Sequence, residues 1–335
     1  MVVKTASMLV WMGVFLMVSS RPAVCRDTGA TDFDSVCDRA RQCLREGRWD
    51  DAMAAITIVE NEARARVERD PGKELSVLMI KARAYWHQRD TEGLEQFLTQ
   101  FEKSYARTSA AAWVQRAAWY ERTLGYRFAE DLPQAAQAFE KYRELEEQWT
   151  SNHPERNEFE AAARDFDLHV AMPAQIGDLY RYMGSMDAAM ERYRSALAYV
   201  NAHAASFRPL DERPQQLLGN LLTPSKYREE ILPTAIRECE APQDSVLAEL
   251  GRDVACEIQQ ADWFLTIAKG WRQPKALDSA RRHYRKAQEA LETAQEAIIA
   301  LPASDKIRYL ALQEHIKESV HAFNTEVVRF TDSGI

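Results

Sequence analysis

The chain lacks the sequence devices of the common enzyme classes. It has no Gly-rich phosphate loop, no G-x-S-x-G elbow and no H-E-x-x-H pair. These absences remove the phosphate cradle, the nucleophile on a strained turn and the helical zinc pair. Histidine is scarce and scattered, seven in 335 residues. His315, Glu318 and His321 follow one another three apart, which turns the outer two, His315 and His321, well apart around a helix, so a shared ion is not expected there. No catalytic residue, metal or cofactor is expected, and the chain reads as a non-enzyme. An excess of positive charge is also missing: 43 basic residues stand against 51 acidic ones, a net charge of −8, which argues against nucleic acid as the partner. Beyond the N-terminus there is no low-complexity tract and no apolar run long enough to cross a bilayer. Carboxylate runs such as Glu144-Leu145-Glu146-Glu147 read as solvated helix faces.

The first residues have the layout of an export signal over 1–24. Lys4 gives the basic start, Met8 to Val18 the apolar stretch, and Ser19-Ser20 the small residues that follow. Two processing routes are open. Val18-Ser19-Ser20 suits ordinary signal peptidase, whereas Pro22-Ala23-Val24-Cys25 resembles a bacterial lipoprotein box with Cys25 as the acylated residue. Five cysteines are an odd set, and lipidation of Cys25 leaves Cys37, Cys43, Cys239 and Cys256. Cys37 and Cys43 are too far apart along one helix to bond each other. Cys239 and Cys256 flank a Pro-containing turn and can bridge in an oxidising compartment. The expected location is extracytoplasmic, the bacterial periplasm, with or without a lipid anchor in a membrane.

What the chain does have is a recurrent helix-turn-helix. Between Ala171 and Val200, Ile176-Gly177-x-x-Tyr180 opens a unit, Gly184 makes its turn, and Ala189-x-x-x-Tyr193-x-x-Ala196 closes it. Gly177 and Ala189 are placed where the two antiparallel helices approach most closely, with Tyr180 and Tyr193 filling the wedge between hairpins. The same register returns as Ala40-x-x-Cys43, Gly47 and Ala52-x-x-x-Ile56; as Ala82-x-x-Tyr85, Gln88-Arg89-Asp90 and Leu94-x-x-x-Leu98; as Tyr126 and Ala135-x-x-x-Phe139; and as Ile267-Ala268-x-x-Trp271 and Ala280-x-x-x-Tyr284. From Ala303 to Phe330, Ile307, Leu310, Ile316, Val320, Phe323 and Val327 fall on a helical period without that register, which predicts a C-terminal capping helix over 303–331.

These motifs resemble the tetratricopeptide repeat family, whose unit repeats at about 34 residues. The resemblance implies an all-α, right-handed solenoid of antiparallel helix pairs over 32–301. Unit spacings exceed the family's period, so insertions are expected, the clearest a Pro-rich stretch over 204–242. There Pro209, Pro214, Pro224, Pro233 and Pro242 are read as forbidding any long helix, with Pro224 as a helix start. In the family the first helix of each pair lines a concave groove. That assigns Arg41, Arg83, Trp86, Tyr120, Arg127, Arg181, Tyr182, Lys269 and Arg272 to it, facing Asp34, Asp178 and Asp262. Arginine forks beside aromatic rings suit a carboxylate-rich protein or peptide partner. The implied function is a partner-binding extracytoplasmic scaffold. The alternatives are an accessory component of a periplasmic solute transport system and a member of an outer-membrane assembly complex.

Overall fold

The computed structural model describes residues 33–65, 71–153, 155, 157–213, 223–240, 246–271, 274–299 and 303–332. All regular structure among them is helical, with no strand. The signal region and Cys25 lie outside the described residues. The chain divides into two compact units, one of the residues up to Ala161 and one of those from Ala162 onward.

The N-terminal unit is built from α1 (Phe33–Arg45), α2 (Trp49–Ala65), α3 (Pro71–Gln88), α4 (Thr91–Tyr105), α5 (Ala111–Phe128) and α6 (Leu132–Asn152). They pair in sequence as α1 with α2, α3 with α4 and α5 with α6, while α3 also packs on α1, α2 and α5. One turn geometry joins all three pairs. Gly47, Arg89 and Glu130 occupy the left-handed region, at φ 73°, 61° and 66°. The N–H after each reaches back five residues: Arg48 to Cys43 at 2.8 Å, Asp90 to Tyr85 at 3.0 Å, Asp131 to Tyr126 at 2.9 Å. This is the Schellman closure, which satisfies carbonyls that a helix end leaves bare. Asp90 and Asp131 then cap the next helix, accepting from the N–H of Gly93 at 2.8 Å and of Gln134 at 3.2 Å. Two of the three left-handed residues are not glycine, which costs about 1–2 kcal/mol each. Arg89 and Glu130 are ion-paired to one another at 3.0 Å, an exposed contact that returns a fraction of that.

The C-terminal unit contains α7 (Glu158–Phe166) from Ala162 on, α8 (Met172–Tyr182), α9 (Met186–Ala202), the short α10 (Arg208–Glu212) and α11 (Pro224–Lys226), α12 (Leu232–Glu240), α13 (Val246–Trp271), α14 (Pro274–Ile299) and α15 (Ala303–Asp332). The α8–α9 turn repeats the geometry above: Gly184 stands at φ 75°, and the N–H of Ser185 reaches the Tyr180 carbonyl at 2.9 Å. The second helices of all five pairs bury the same two positions. Ala52 and Ile56, Leu94 and Leu98, Ala135 and Phe139, Ala189 and Tyr193, and Ala280 and Tyr284 are all at most 3% exposed.

Three expectations need correction. The Tyr193 ring covers Gly177, where a Cβ would stand 2.7 Å from Tyr193 Cε1. Tyr193 is therefore buried inside its own hairpin, and Tyr180 remains half-exposed. Secondly, Pro233 does not end a helix. Residues 224–240 form one helical run, in which a π turn (Tyr227–Ile231) precedes Leu232-Pro233. The N–H of Leu232 bonds the Tyr227 carbonyl five residues back. The same device, Asp167–Ala171, precedes Met172-Pro173, with Met172 bonding Asp167. A proline ring collides with the carbonyl four residues before it, and one extra residue in the turn moves that carbonyl aside. Thirdly, the stripe by which α15 packs on α13 and α14 is Tyr309, Ile316 and Phe323, whereas Ile307 and Leu310 are exposed.

Candidate functional site

In the N-terminal unit, most residues assigned to a groove are spent on joining helices. Trp86 of α3 is fully buried, with its ring centroid 4.0 Å from His87 and 5.1 Å from Phe128 of α5. Gly125 permits this approach, since a Cβ there would meet the Leu94 side chain and come 3.2 Å from Trp86 Cβ. Tyr120 is buried against Tyr142 of α6, centroids 5.5 Å apart. Arg127 is buried as well, and Arg83 is half-buried. Arg41 is half-exposed, and its Nη1 bonds the exposed Asp38 at 2.7 Å. The correction has one cause. Where a first helix packs against the next first helix, positions flanking the small and aromatic residues face a neighbour, and the register cannot tell that face from a groove.

The α3–α5 contact holds a group the sequence did not mark. Glu121 is completely buried, and its Oε2 accepts from Trp86 Nε1 at 3.2 Å. Its other oxygen, Oε1, is buried with no hydrogen-bond partner. Burial pushes the carboxyl up to about 7, against the opposing pull of the Arg83 charge and the indole bond. A second polar network lies between α4 and α5. There Arg122 donates from Nε to Glu95 at 2.8 Å and from Nη2 to Glu102 at 2.8 Å, and the Tyr126 hydroxyl adds a bond to Glu95 at 3.1 Å.

In the C-terminal unit Arg181 ties three helices. From α8 it donates to Glu238 of α12 through Nη1 and to Gln259 of α13 through Nη2, the latter at 2.7 Å, with Asp178 at 3.9 Å. Burial opposes its charge, but the Tyr193 phenol, Asp178 and Glu238 hold the guanidinium above its ordinary value. Tyr182 is half-buried beside it, 6.0 Å from ring centroid to guanidinium. The acids set against the arginines have jobs of their own: Asp178 accepts from Tyr193 at 2.7 Å and Asp262 accepts from Tyr284. The Lys269 side chain and Arg272 lie outside the described residues. Cys239 and Cys256 are free thiols here. Burial raises Cys239 and pushes Cys256 up to about 12.

One surface cluster was not foreseen. The half-exposed Tyr199 of α9 is stacked with His169 at 4.4 Å and with His203 at 4.1 Å. Its hydroxyl donates to Asp165 at 2.8 Å, and His169 Nε2 lies 3.7 Å from the same carboxylate. Only the i,i+4 step from Tyr199 to His203 was legible, because the π turn sets where His169 falls. Among the described residues no group of three or more His, Cys, Asp or Glu side chains is arranged to hold a metal ion. Compared with protein-family models, curated proteins and solved structures, the chain matches none.

Proposed function

We propose that the chain is a non-enzymatic, extracytoplasmic scaffold of the tetratricopeptide type, a right-handed solenoid of helix pairs that binds a protein or peptide partner. The observation that carries this reading is the fourfold recurrence of one left-handed turn, followed each time by the same buried pair of positions in the second helix. A hairpin of this kind exposes an apolar flank, so copies of it stack, and stacked copies present a continuous side-chain surface. The arginines of the first helices are largely engaged inside the chain, so recognition rests on what stays accessible, chiefly Arg41, Tyr182 and the His169–Tyr199–His203 group. Export is read from the N-terminal signal.

Mass spectrometry of the mature protein tests the export half. An N-terminus at Arg21, or an acylated Cys25, supports it, and intact Met1 in a cytoplasmic fraction overturns it. Photo-crosslinking residues placed at Arg41, Tyr182 and Tyr199 in living cells test the binding half. A discrete adduct from any of these positions, absent when the crosslinker is at Lys141 on an exposed second-helix face, supports a partner at that position. Adducts equally frequent from Lys141 count against it.

A further inference from the structure

The carboxyl of Glu121 is out of place for a structural residue. It is enclosed where α3 meets α5, its single hydrogen bond comes from an indole at 3.2 Å, and Oε1 has none. An ionised carboxylate needs several strong donors, and a buried one left short of them is costly. The charged groups on the surrounding helices do not meet that need. On α3, Arg83 acts on it by charge alone, and His87 lies tilted against Trp86, ring centroids 4.0 Å apart. On α4, Glu95 and Glu102 are held by Arg122; on α6, Glu146 is held by Arg116 at 2.6 Å; and Lys81 of α3 is turned to Glu60 of α2 at 2.5 Å. Arg127, on the same helix as Glu121, is buried with it in the α5 core. The protonated acid suits this enclosure, since the neutral group carries no charge to solvate.

We propose that the α3–α5 contact is a proton-operated joint: with Glu121 protonated the two helices pack closed, and loss of that proton to solvent opens the contact so that water reaches the carboxylate. The joint links the first helices of adjacent pairs, so it sets how rigidly the N-terminal unit presents its surface. This device does not depend on the identity of any partner. It requires only the buried acid and the helices that enclose it. The raised value of the carboxyl places the change near neutrality.

The full-length protein can be tested without a partner. Infrared difference spectra across pH 5 to 9 should contain the carbonyl stretch of a protonated carboxyl that titrates near neutrality in the wild type and is missing in Glu121→Gln. Hydrogen exchange of α3 and α5, corrected for the intrinsic pH dependence of exchange, should be about tenfold faster at pH 8 than at pH 6 in the wild type. In Glu121→Gln it should be equal at the two values, and α13 should behave alike in both proteins. Should Glu121→Gln fail to fold, Trp86→Phe serves instead: it removes the donor that favours the ionised form, so the infrared midpoint must rise. A pH-dependent opening that persists in Glu121→Gln, or a midpoint unmoved by Trp86→Phe, overturns the proposal.

Discussion

Replacing Gly177 by alanine is the sharpest test of how the helix pairs are packed. In an unobstructed helix interior the change stabilises by up to about 1 kcal/mol, because alanine loses less backbone entropy. At Gly177 the new Cβ would lie 2.7, 3.0 and 3.1 Å from Tyr193 Cε1, Cδ1 and Cζ. Ordinary carbon contacts are about 3.5–4.0 Å, so the ring must retreat by roughly 1 Å. It has little room, being 1% exposed, and its hydroxyl is anchored to Asp178, the residue next to the glycine, at 2.7 Å. Overpacking costs about 1–3 kcal/mol and weakening a bond to a carboxylate adds about 1. Set against the helix gain, the net loss is about 2 kcal/mol, or roughly 4–8 °C in the melting temperature of a unit this size. Gly251 of α13 is the control, since a Cβ there meets nothing within 4 Å. Gly251→Ala should raise stability by up to about 1 kcal/mol. Urea unfolding followed on α8 and α13 by hydrogen exchange separates the two effects. In a Tyr193→Ala background the obstruction is gone, and Gly177→Ala should become neutral or stabilising. A wild-type melting temperature for Gly177→Ala alone would refute the packing assigned to this hairpin.

Glu121 gives the N-terminal unit a characteristic pH dependence. Its folded value is raised from 4.5 to about 7, so between those values the native state holds a proton the unfolded chain has released. Its contribution to stability is therefore fullest below about 4.5, falls by about 3 kcal/mol as the pH rises to 7, and then levels; the difference between wild type and Glu121→Gln in urea titrations should follow this curve. Arg181→Met, which strands Asp178 and Gln259 among packed helices, should cost about 2–4 kcal/mol. Arg194→Met, which breaks an exposed pair with Glu240, should cost under about 0.5 kcal/mol. Equal losses in thermal melts would contradict the burial of Arg181. Peptide mapping without reductant should recover Cys239 and Cys256 as separate, unlinked species, with Cys256 alkylating only after denaturation because burial keeps its thiol protonated.

The parts of this fold that follow periodic rules were readable from the chain, and the parts that depend on a neighbour were not. Small-to-large steps such as Ala135-x-x-x-Phe139 and Ala280-x-x-x-Tyr284 give the second helices away, because burial at i and i+4 needs only one apolar stripe. The turn at Glu130 was missed, since left-handed backbone is usually announced by glycine. Here Asp131 capping the following helix, and Arg89 pairing with Glu130, hold a conformation the residue itself disfavours. The π turns were missed for the opposite reason. Pro233 reads as a break, but a helix can keep going past a proline, there as at Pro173, by inserting one residue, and no propensity records that choice. The site suffered most. Trp86 and Arg127 are amphipathic side chains on a first helix, and whether such a residue meets water or the next helix depends on how closely that helix approaches. Gly125 decides this at α3 and α5 by letting Trp86 and Leu94 close over it. A glycine in the middle of a helix, four residues after a glutamate and opposite a tryptophan, is thus the local clue that this face is an interior. The acid lying there then has to be read as a buried group, with the pH behaviour that burial imposes.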